Sequence, residues 1–464
     1  MEKKSPVCTQ KSVILVSAAT SFITTFMGSA LNLAVPAIER DFQTGAAEAG
    51  WIITVYMLTC AALTVPFGKI ADTGRKNLIL RWGIFIFTLA CTAAAFSFNM
   101  AMLIICRAAQ GVGASMIFST NIAVLVNSEE ENRRGKALGY VTCANYGGLS
   151  AGPAVGGILN HHFGWRSVFA VSAVIGAAAF FVALKKMQDK PYGGKNGDRH
   201  MDMTGMALYM GFMILVMYGL SELLSSGAGP VLLAAGIIMM IFFVKRETSV
   251  IRPMLDINEF VRNKTCASAS LATMMNFGSN FGLTYLLSIY MQGVMGMDPQ
   301  QAGLLLVVSP GIMSVLSPVM GKLSDKYPPR ILSSAGMALC IAALLLGASM
   351  AGIMAKDSDI WLTVPVLALS GLGLAFFAAP NTKEVMSSVS SCDHGITSSI
   401  LATMRSAGHT LSMAVITGII GVYMGQESLE GADPRIVANI MKISFFIFAG
   451  LCIPGFFMAL RRKP

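Results

Sequence analysis

Long apolar runs recur along nearly the whole chain and leave little room for anything else. They fall at 13–36, 50–70, 78–98, 101–123, 137–159, 166–185, 204–224, 229–244, 267–291, 301–321, 332–352, 360–380, 396–423 and 438–460. A hydrocarbon core about 30 Å thick is crossed by about 20 helical residues, so fourteen runs predict fourteen membrane-spanning helices. The eighth is short, but Val231 to Val244 carries no charge or proline, and Lys245 and Arg246 close it abruptly. The composition agrees: 54% of 464 residues are apolar and 12% charged, whereas soluble chains carry about 25% charged residues. A soluble protein cannot bury that much apolar surface, and the loops are too short for a catalytic domain. We therefore expect an all-α integral membrane protein that is not an enzyme. Lys3, Lys4 and Lys11 before the first run superficially resemble a signal peptide; without a small-residue cleavage site, that run reads as a retained span.

The net charge of +10 would raise the question of nucleic acid in a soluble chain. No basic stripe with interleaved aromatics is present, so no nucleic-acid partner is expected. The excess instead marks orientation, because lysine and arginine concentrate in cytoplasmic loops. Clusters such as Lys69, Arg75 and Lys76, then Arg133, Arg134 and Lys136, then Lys322, Lys326 and Arg330 occupy alternate connectors. The intervening connectors hold mainly Asp298, Asp357, Asp359, Glu427, Glu430 and Asp433. The alternation never breaks across fourteen spans, which predicts a multi-pass protein of the plasma membrane with both termini cytoplasmic. The end carrying the lysine and arginine loops is called the basic end below.

One loop occurs twice. Gly68-Lys69-Ile70-Ala71-Asp72-Thr73-Gly74-Arg75-Lys76 follows the second run, and Gly321-Lys322-Leu323-Ser324-Asp325 through Arg330 follows the tenth, 253 residues later. Eight intervening spans fit six per half plus two inserted. The expected divisions are a six-helix bundle at 1–186, a linker with two additional helices at 187–263, and a second six-helix bundle at 264–464. Transporters are commonly built from such repeats, with the substrate site near midplane between them.

With these features the chain resembles the major facilitator superfamily, specifically its fourteen-span drug:proton antiporter branch, over essentially its whole length. The resemblance implies the major facilitator fold and a gating role for Gly68, Asp72, Gly74, Arg75 and Lys76 and for Gly321, Asp325 and Arg330, which would latch the bundles on the cytoplasmic side. In physical terms, Asp72 can cap a short helix and pair with a nearby arginine. Gly148, Gly152, Pro153, Gly156 and Gly157 match the pattern that the family associates with export by antiport. Glycines four apart let a neighbouring helix approach, and Pro153 permits a kink. Arg107 in the fourth run resembles the family's intramembrane arginine, associated there with proton coupling; a guanidinium in the bilayer is costly and points to function or to firm anchoring.

The chain also departs from that pattern. Many relatives carry an aspartate in the first span where Met27 stands here, and no span holds a carboxylate near midplane; Glu48, Glu222 and Glu384 lie toward span ends. The embedded charges are basic. Arg405 and His409 stand four residues apart, on one helical face, and histidine can exchange protons near neutral pH. Such a cavity suits an anionic or neutral amphiphile better than a dication. Arg107 and His409 are the candidates for proton coupling, and Arg405 for holding substrate.

Other candidate cavity residues are Thr25, Ser29, Tyr56, Asn145, Tyr146, Asn276, Asn280, Phe376 and Asn381, chosen by face and depth. Nine scattered cysteines without a C-x-x-C pair suggest no disulfide framework and no metal site. No G-x-x-x-x-G-K-[ST] loop for ATP occurs, and no cofactor is expected. The expected partners are a small-molecule substrate, protons and membrane lipid, with the chain monomeric. The expected function is proton-coupled efflux of small amphipathic organic compounds by alternating access. Import or exchange of an organic anion on the same fold is the alternative.

Overall fold

The computed structural model describes residues 7–44, 46–187, 202–221, 228–250, 253–255, 257–297, 299–351, 360–390, 393–424 and 434–460. Among them every regular element is helical. The helices of a first group are α1 (Val7–Phe42), α2 (Ala46–Ile70), α3 (Lys76–Ala95), α4 (Met100–Ser128), α5 (Arg134–Ala151), α6 (Gly157–Phe163) and α7 (Arg166–Lys186). The pair α8 (Met203–Ser221) and α9 (Ala228–Ser249) and the short α10 (Ile257–Arg262) follow. The second group is α11 (Lys264–Gly293), α12 (Pro299–Leu306), α13 (Val308–Ser324), α14 (Pro329–Met350), α15 (Ile360–Ser387), α16 (His394–Met424) and α17 (Pro434–Leu460). Ten helical segments among the described residues are long and apolar enough to cross a membrane.

Helix starts follow local chemistry. Asn99 Oδ1 accepts from the Met102 N–H at 2.7 Å to open α4, and Asn263 does the same for Cys266 at 3.0 Å to open α11. An N-cap of this kind contributes about 1 kcal/mol. Asp202 caps Gly205 at the start of α8 and pairs with Arg246 of α9 at 2.8 Å, tying the two inserted helices together. That pairing holds the Asp202 carboxyl below its usual range.

The two groups pack by one scheme. In the first, α1 lies against α5 and α7, α3 against α4 and α7, and α2 against α4; in the second, α11 lies against α16 and α17, α14 against α15 and α17, and α13 against α15. Each pairing has its counterpart, so the duplication extends from the loop to the helices. Gly83 and Gly336 stand at the same 253-residue separation. A Cβ on either would meet the backbone of the next helix, Gly113 O at 3.0 Å or Gly373 O at 2.6 Å. Small residues at such crossings replace the hydrophobic drive that lipid cannot supply.

Each group has its own apolar core, one around Phe26, Leu31, Phe87 and Phe169, the other around Leu287, Phe377, Phe445 and Phe448. Between the groups α5 packs on α13, and α2 and α4 pack on α16. The inserted α8 leans on both α2 and α16, with Tyr209 and Met213 against Ala61 and Val65 and the Tyr209 hydroxyl 3.3 Å from Thr403 Oγ1.

Candidate functional site

The duplicated loop makes two equivalent contacts at the basic end. α2 runs into a wider turn at Ala71–Arg75, which aims Asp72 across to the second group. Its carboxylate accepts from the N–H groups of Gly395 at 2.8 Å and Ile396 at 2.6 Å, at the start of α16, and pairs with Lys76 at 2.8 Å. Asp325 reciprocates: it accepts from Gly135 and Lys136 at 2.8 and 2.9 Å, at the start of α5, and pairs with Lys383 at 2.8 Å. The sequence led us to expect a local cap and an arginine partner. Instead each aspartate caps a helix of the opposite group, where the unpaired N–H groups and the positive helix end favour a carboxylate. Close approach requires glycine on both sides: a Cβ on Gly68 would meet Gly395 O at 2.8 Å, and one on Gly321 would meet the Gly139 Cα at 2.9 Å. Gly74 and Arg75 lie within the wide turn, and Arg330 begins α14.

His394 completes this end and had no assigned role from sequence. Buried just before the apolar run of α16, it contacts the Asn127 side chain at 2.7 Å through Nδ1 and the Met386 carbonyl at 2.9 Å through Nε2, bridging the groups. Burial, with Lys76 and Arg134 nearby, pushes its pKa down to about 4, against the opposing pull of the Met386 carbonyl and Asp393. The ring is therefore neutral at pH 7, with a single N–H for its contacts with the Asn127 side chain and the Met386 carbonyl. Folding stability from this neutral ring is fully present above the ordinary histidine pKa of about 6.5 and is lost as pH falls from there toward 4, because the unfolded chain takes up a proton that the folded ring does not, by about 2 kcal/mol at pH 5. Wild type is expected to lose more melting temperature between pH 7 and 5 than His394→Gln; equal losses would remove His394 as the titrating group.

The glycine-proline segment lies where α5 meets α1. Gly152–Gly156 forms a wide turn between α5 and α6, as the missing N–H of Pro153 allows. Gly148, Gly152 and Gly156 press on Phe22, Ser29 and Ala30, and Gly157 opens α6. Thr25 donates to the Asn145 carbonyl at 2.7 Å, while Ser29 bonds back to Thr25 O at 3.1 Å and faces Gly152. Thr25 and Ser29 therefore belong to the α1–α5 seam, which the Asn145 backbone carbonyl also joins.

Arg107 is 1% exposed. Its Nε donates to the Ile52 carbonyl at 2.8 Å, Nη1 donates to Gln110, and its guanidinium carbon sits 4.2 Å from the centre of the Tyr56 ring. Arg107 and Tyr56 thus form a closed tie between α2 and α4.

In the second group, Asn276 donates to the sulfurs of Met337 and Cys340 at 3.0 and 3.4 Å, and Asn280 donates to Ser370. Asn381 donates to Ala269 O and Thr273 Oγ1 at 3.2 and 2.9 Å. All three amides face helices of their own group.

A different set converges at mid-depth. Arg405 and His409 lie about 16 and 22 Å along α16 from His394, and both are half-buried. The Arg405 guanidinium carbon sits 5.7 Å from the Phe277 ring centre, and His409 stacks on Phe281 with centroids 4.7 Å apart. Tyr146, from the first group, interacts electrostatically with Arg405 and packs among Met313, Leu374, Phe277 and Phe376 of the second. Sequence reasoning had named Tyr146, Phe376, Arg405 and His409 as candidates, but not Phe277 and Phe281. Their four-residue spacing on α11, one position on from Asn276 and Asn280, was the available signal.

Known proteins of similar sequence cover most of this length. The chain is 29% identical to the riboflavin transporter RibZ of Clostridioides difficile over 96% of this chain and 95% of that one. It is 27% identical to the multidrug resistance protein Stp of Mycobacterium tuberculosis over 87% and 75%. It is 26% identical to the tetracenomycin C resistance and export protein of Streptomyces glaucescens over 88% and 77%. The fold is that of the human organic anion transporter MFSD10 (TETRAN), with a TM-score of 0.69 at 14% identity over 98% of this chain and 100% of that one. Residues 17–254 and 269–464 match the Major Facilitator Superfamily. With two helical groups packed by one scheme and latched at one end by a duplicated loop, the chain belongs to the Major Facilitator Superfamily of membrane transporters.

Proposed function

We propose that this protein exports small amphipathic organic compounds across the plasma membrane by alternating access, driven by proton influx. The observation that carries the reading is the pair of equivalent, breakable carboxylate contacts joining the groups at the basic end. They form a gate at one end of the half-buried Arg405–His409 site. The glycine-proline seam, which the antiporter branch associates with export, supports the direction, as do the names of the resistance and export relatives.

In this reading the basic end and both termini are cytoplasmic, and the chain acts as a monomer of two six-helix bundles with α8 and α9 inserted. Four helices join the ten apolar segments to make fourteen spans: α5 continued by α6, α8, α11 and α16. α8 is apolar but short, and the glycines, asparagines and embedded charges of the other three lower their hydropathy, yet α11 and α16, of 30 and 31 residues, reach about 45 Å, more than the bilayer core.

His409 is the better coupling candidate, because Arg107 is tied to the Ile52 carbonyl and Gln110, while among the described residues His409 makes no hydrogen bond and lies against the Phe277 and Phe281 rings. Resistance and metabolite export, compared between cells with and without the protein, test the function. His409→Gln should flatten the pH dependence of efflux at unchanged expression, and an unaltered profile would dismiss His409. The second reading, import or exchange of an organic anion, is favoured by Arg405 and its lack of a carboxylate partner among the described residues. Counterflow in vesicles with and without a pH gradient separates the two.

A further inference from the structure

The two arginines embedded in the helical groups differ in how their donors are used. Arg107 donates through Nε to the Ile52 carbonyl and through Nη1 to Gln110 and lies on the Tyr56 ring, so partners within its own group hold it. Arg405 makes no hydrogen bond or ion pair among the described residues, and its neighbours there are the Phe277 ring and the Tyr146 phenol. A guanidinium carries five N–H donors, and leaving them unmet within a bilayer is costly. A helix anchor would show the acceptors that Arg107 has.

Arg405 is also aimed at the space where a substrate has to pass. Phe277 belongs to the second group, and Tyr146, which packs among second-group residues, to the first, so a guanidinium 5.7 Å from the Phe277 ring centre and within electrostatic reach of Tyr146 lies toward the boundary between the groups. One turn on, the His409 imidazole lies nearly parallel to Phe281, at an interplanar angle of 22°, and 37% of Phe281 remains exposed. The surroundings of Arg405 are thus flat ring faces, with no carboxylate from any described helix to neutralise it.

We propose that Arg405, Phe277, Phe281, His409 and Tyr146 form a subsite for a flat aromatic acid, whose anionic group pairs with Arg405 and whose ring lies among the aromatic side chains. This deepens the transporter reading and rests on it. A planar guanidinium matches a carboxylate or sulfonate through two parallel hydrogen bonds, and rings stack favourably on aromatic faces. A cation meets repulsion from Arg405, and a neutral ester leaves the donors unmet.

The test is equilibrium binding to the purified full-length protein in detergent, with no gradient, using 2-naphthoate, its methyl ester, 2-naphthylmethylammonium and cyclohexanecarboxylate. Wild type is expected to bind 2-naphthoate at least tenfold more tightly than the ester or the ammonium. Arg405→Gln should remove that preference, Arg405→Lys should keep part of it, and Phe277→Leu should weaken 2-naphthoate more than cyclohexanecarboxylate. Equal binding of the three naphthyl probes by wild type overturns the proposal, and that comparison needs no variant to fold. Unchanged 2-naphthoate binding by a folded Arg405→Gln overturns it too. Selective binding without any flux in vesicles would sink the transport reading alone, whereas drug efflux without charge preference in binding would sink the subsite alone.

Discussion

Replacing Asp72 and Asp325 together with alanine is expected to open the basic end and abolish most export. Each substitution removes two charge-assisted hydrogen bonds to the start of a helix in the opposite group and an ion pair with Lys76 or Lys383. Hydrogen bonds to charged groups contribute about 1.5–3 kcal/mol. Taking about 2 kcal/mol for each contact as a whole, the pair shifts the balance between closed and open forms by about a thousandfold, and either single variant by about thirtyfold. Asparagine still caps a helix, so Asp72→Asn should fall between wild type and alanine. Spin labels at the exposed Glu131 and Tyr327, in a cysteine-free background, would report a longer separation in the double variant. An unchanged separation together with normal export would show that the two loops do not gate.

Much of this arrangement is legible in the residues because its causes are local. Apolar runs and alternating loop charge are one-dimensional signals, and the Gly68 and Gly321 loops repeat in sequence order. What those loops do is less legible. Their aspartates act on Gly395 and Gly135, hundreds of residues away along the chain, and nothing in a single sequence pairs Asp325 with Lys383 or His394 with Asn127. The lining suffered from a second ambiguity. A polar side chain in a membrane helix is expected to face protein or a wet cavity, and depth alone does not separate these. Thr25, Asn276 and Asn381 satisfied the rule by facing neighbouring helices. Arg405 and His409 resolved differently because, among the described residues, ring faces stand beside them in place of hydrogen-bond acceptors. Phe277 and Phe281 were passed over because their four-residue spacing does not tell a cavity face from a packed or lipid-facing one until the neighbours are known.

Gly152→Val offers the sharpest test of the glycine-proline seam. A Cβ at this position would overlap the Ser29 hydroxyl and lie 2.7 Å from the Ser29 Cβ and 2.9 Å from the Ala30 backbone nitrogen. The hydroxyl can turn away, but the Ala30 nitrogen moves only if α1 moves, and α1 is fixed by the Asn121 amide, which donates to Ser17 O at 3.1 Å and to Ser21 Oγ at 2.9 Å. Overpacking a close seam costs about 1–3 kcal/mol, and here it acts where α5 must slide against α1 if the first group flexes during transport. Efflux of amphiphilic dyes is expected to fall below a tenth of wild type at matched protein level, with a lowered melting temperature. Ser29→Gly should partly rescue Gly152→Ala but not Gly152→Val, because the branched side chain still meets the Ala30 backbone. Gly450→Val, at an exposed site of α17 where an added Cβ meets nothing within 4 Å, controls for valine in a helix and should leave efflux near normal. Normal efflux by Gly152→Val would mean that the α1–α5 approach is dispensable. Loss in Gly450→Val as well would place the effect in helix propensity rather than in the seam.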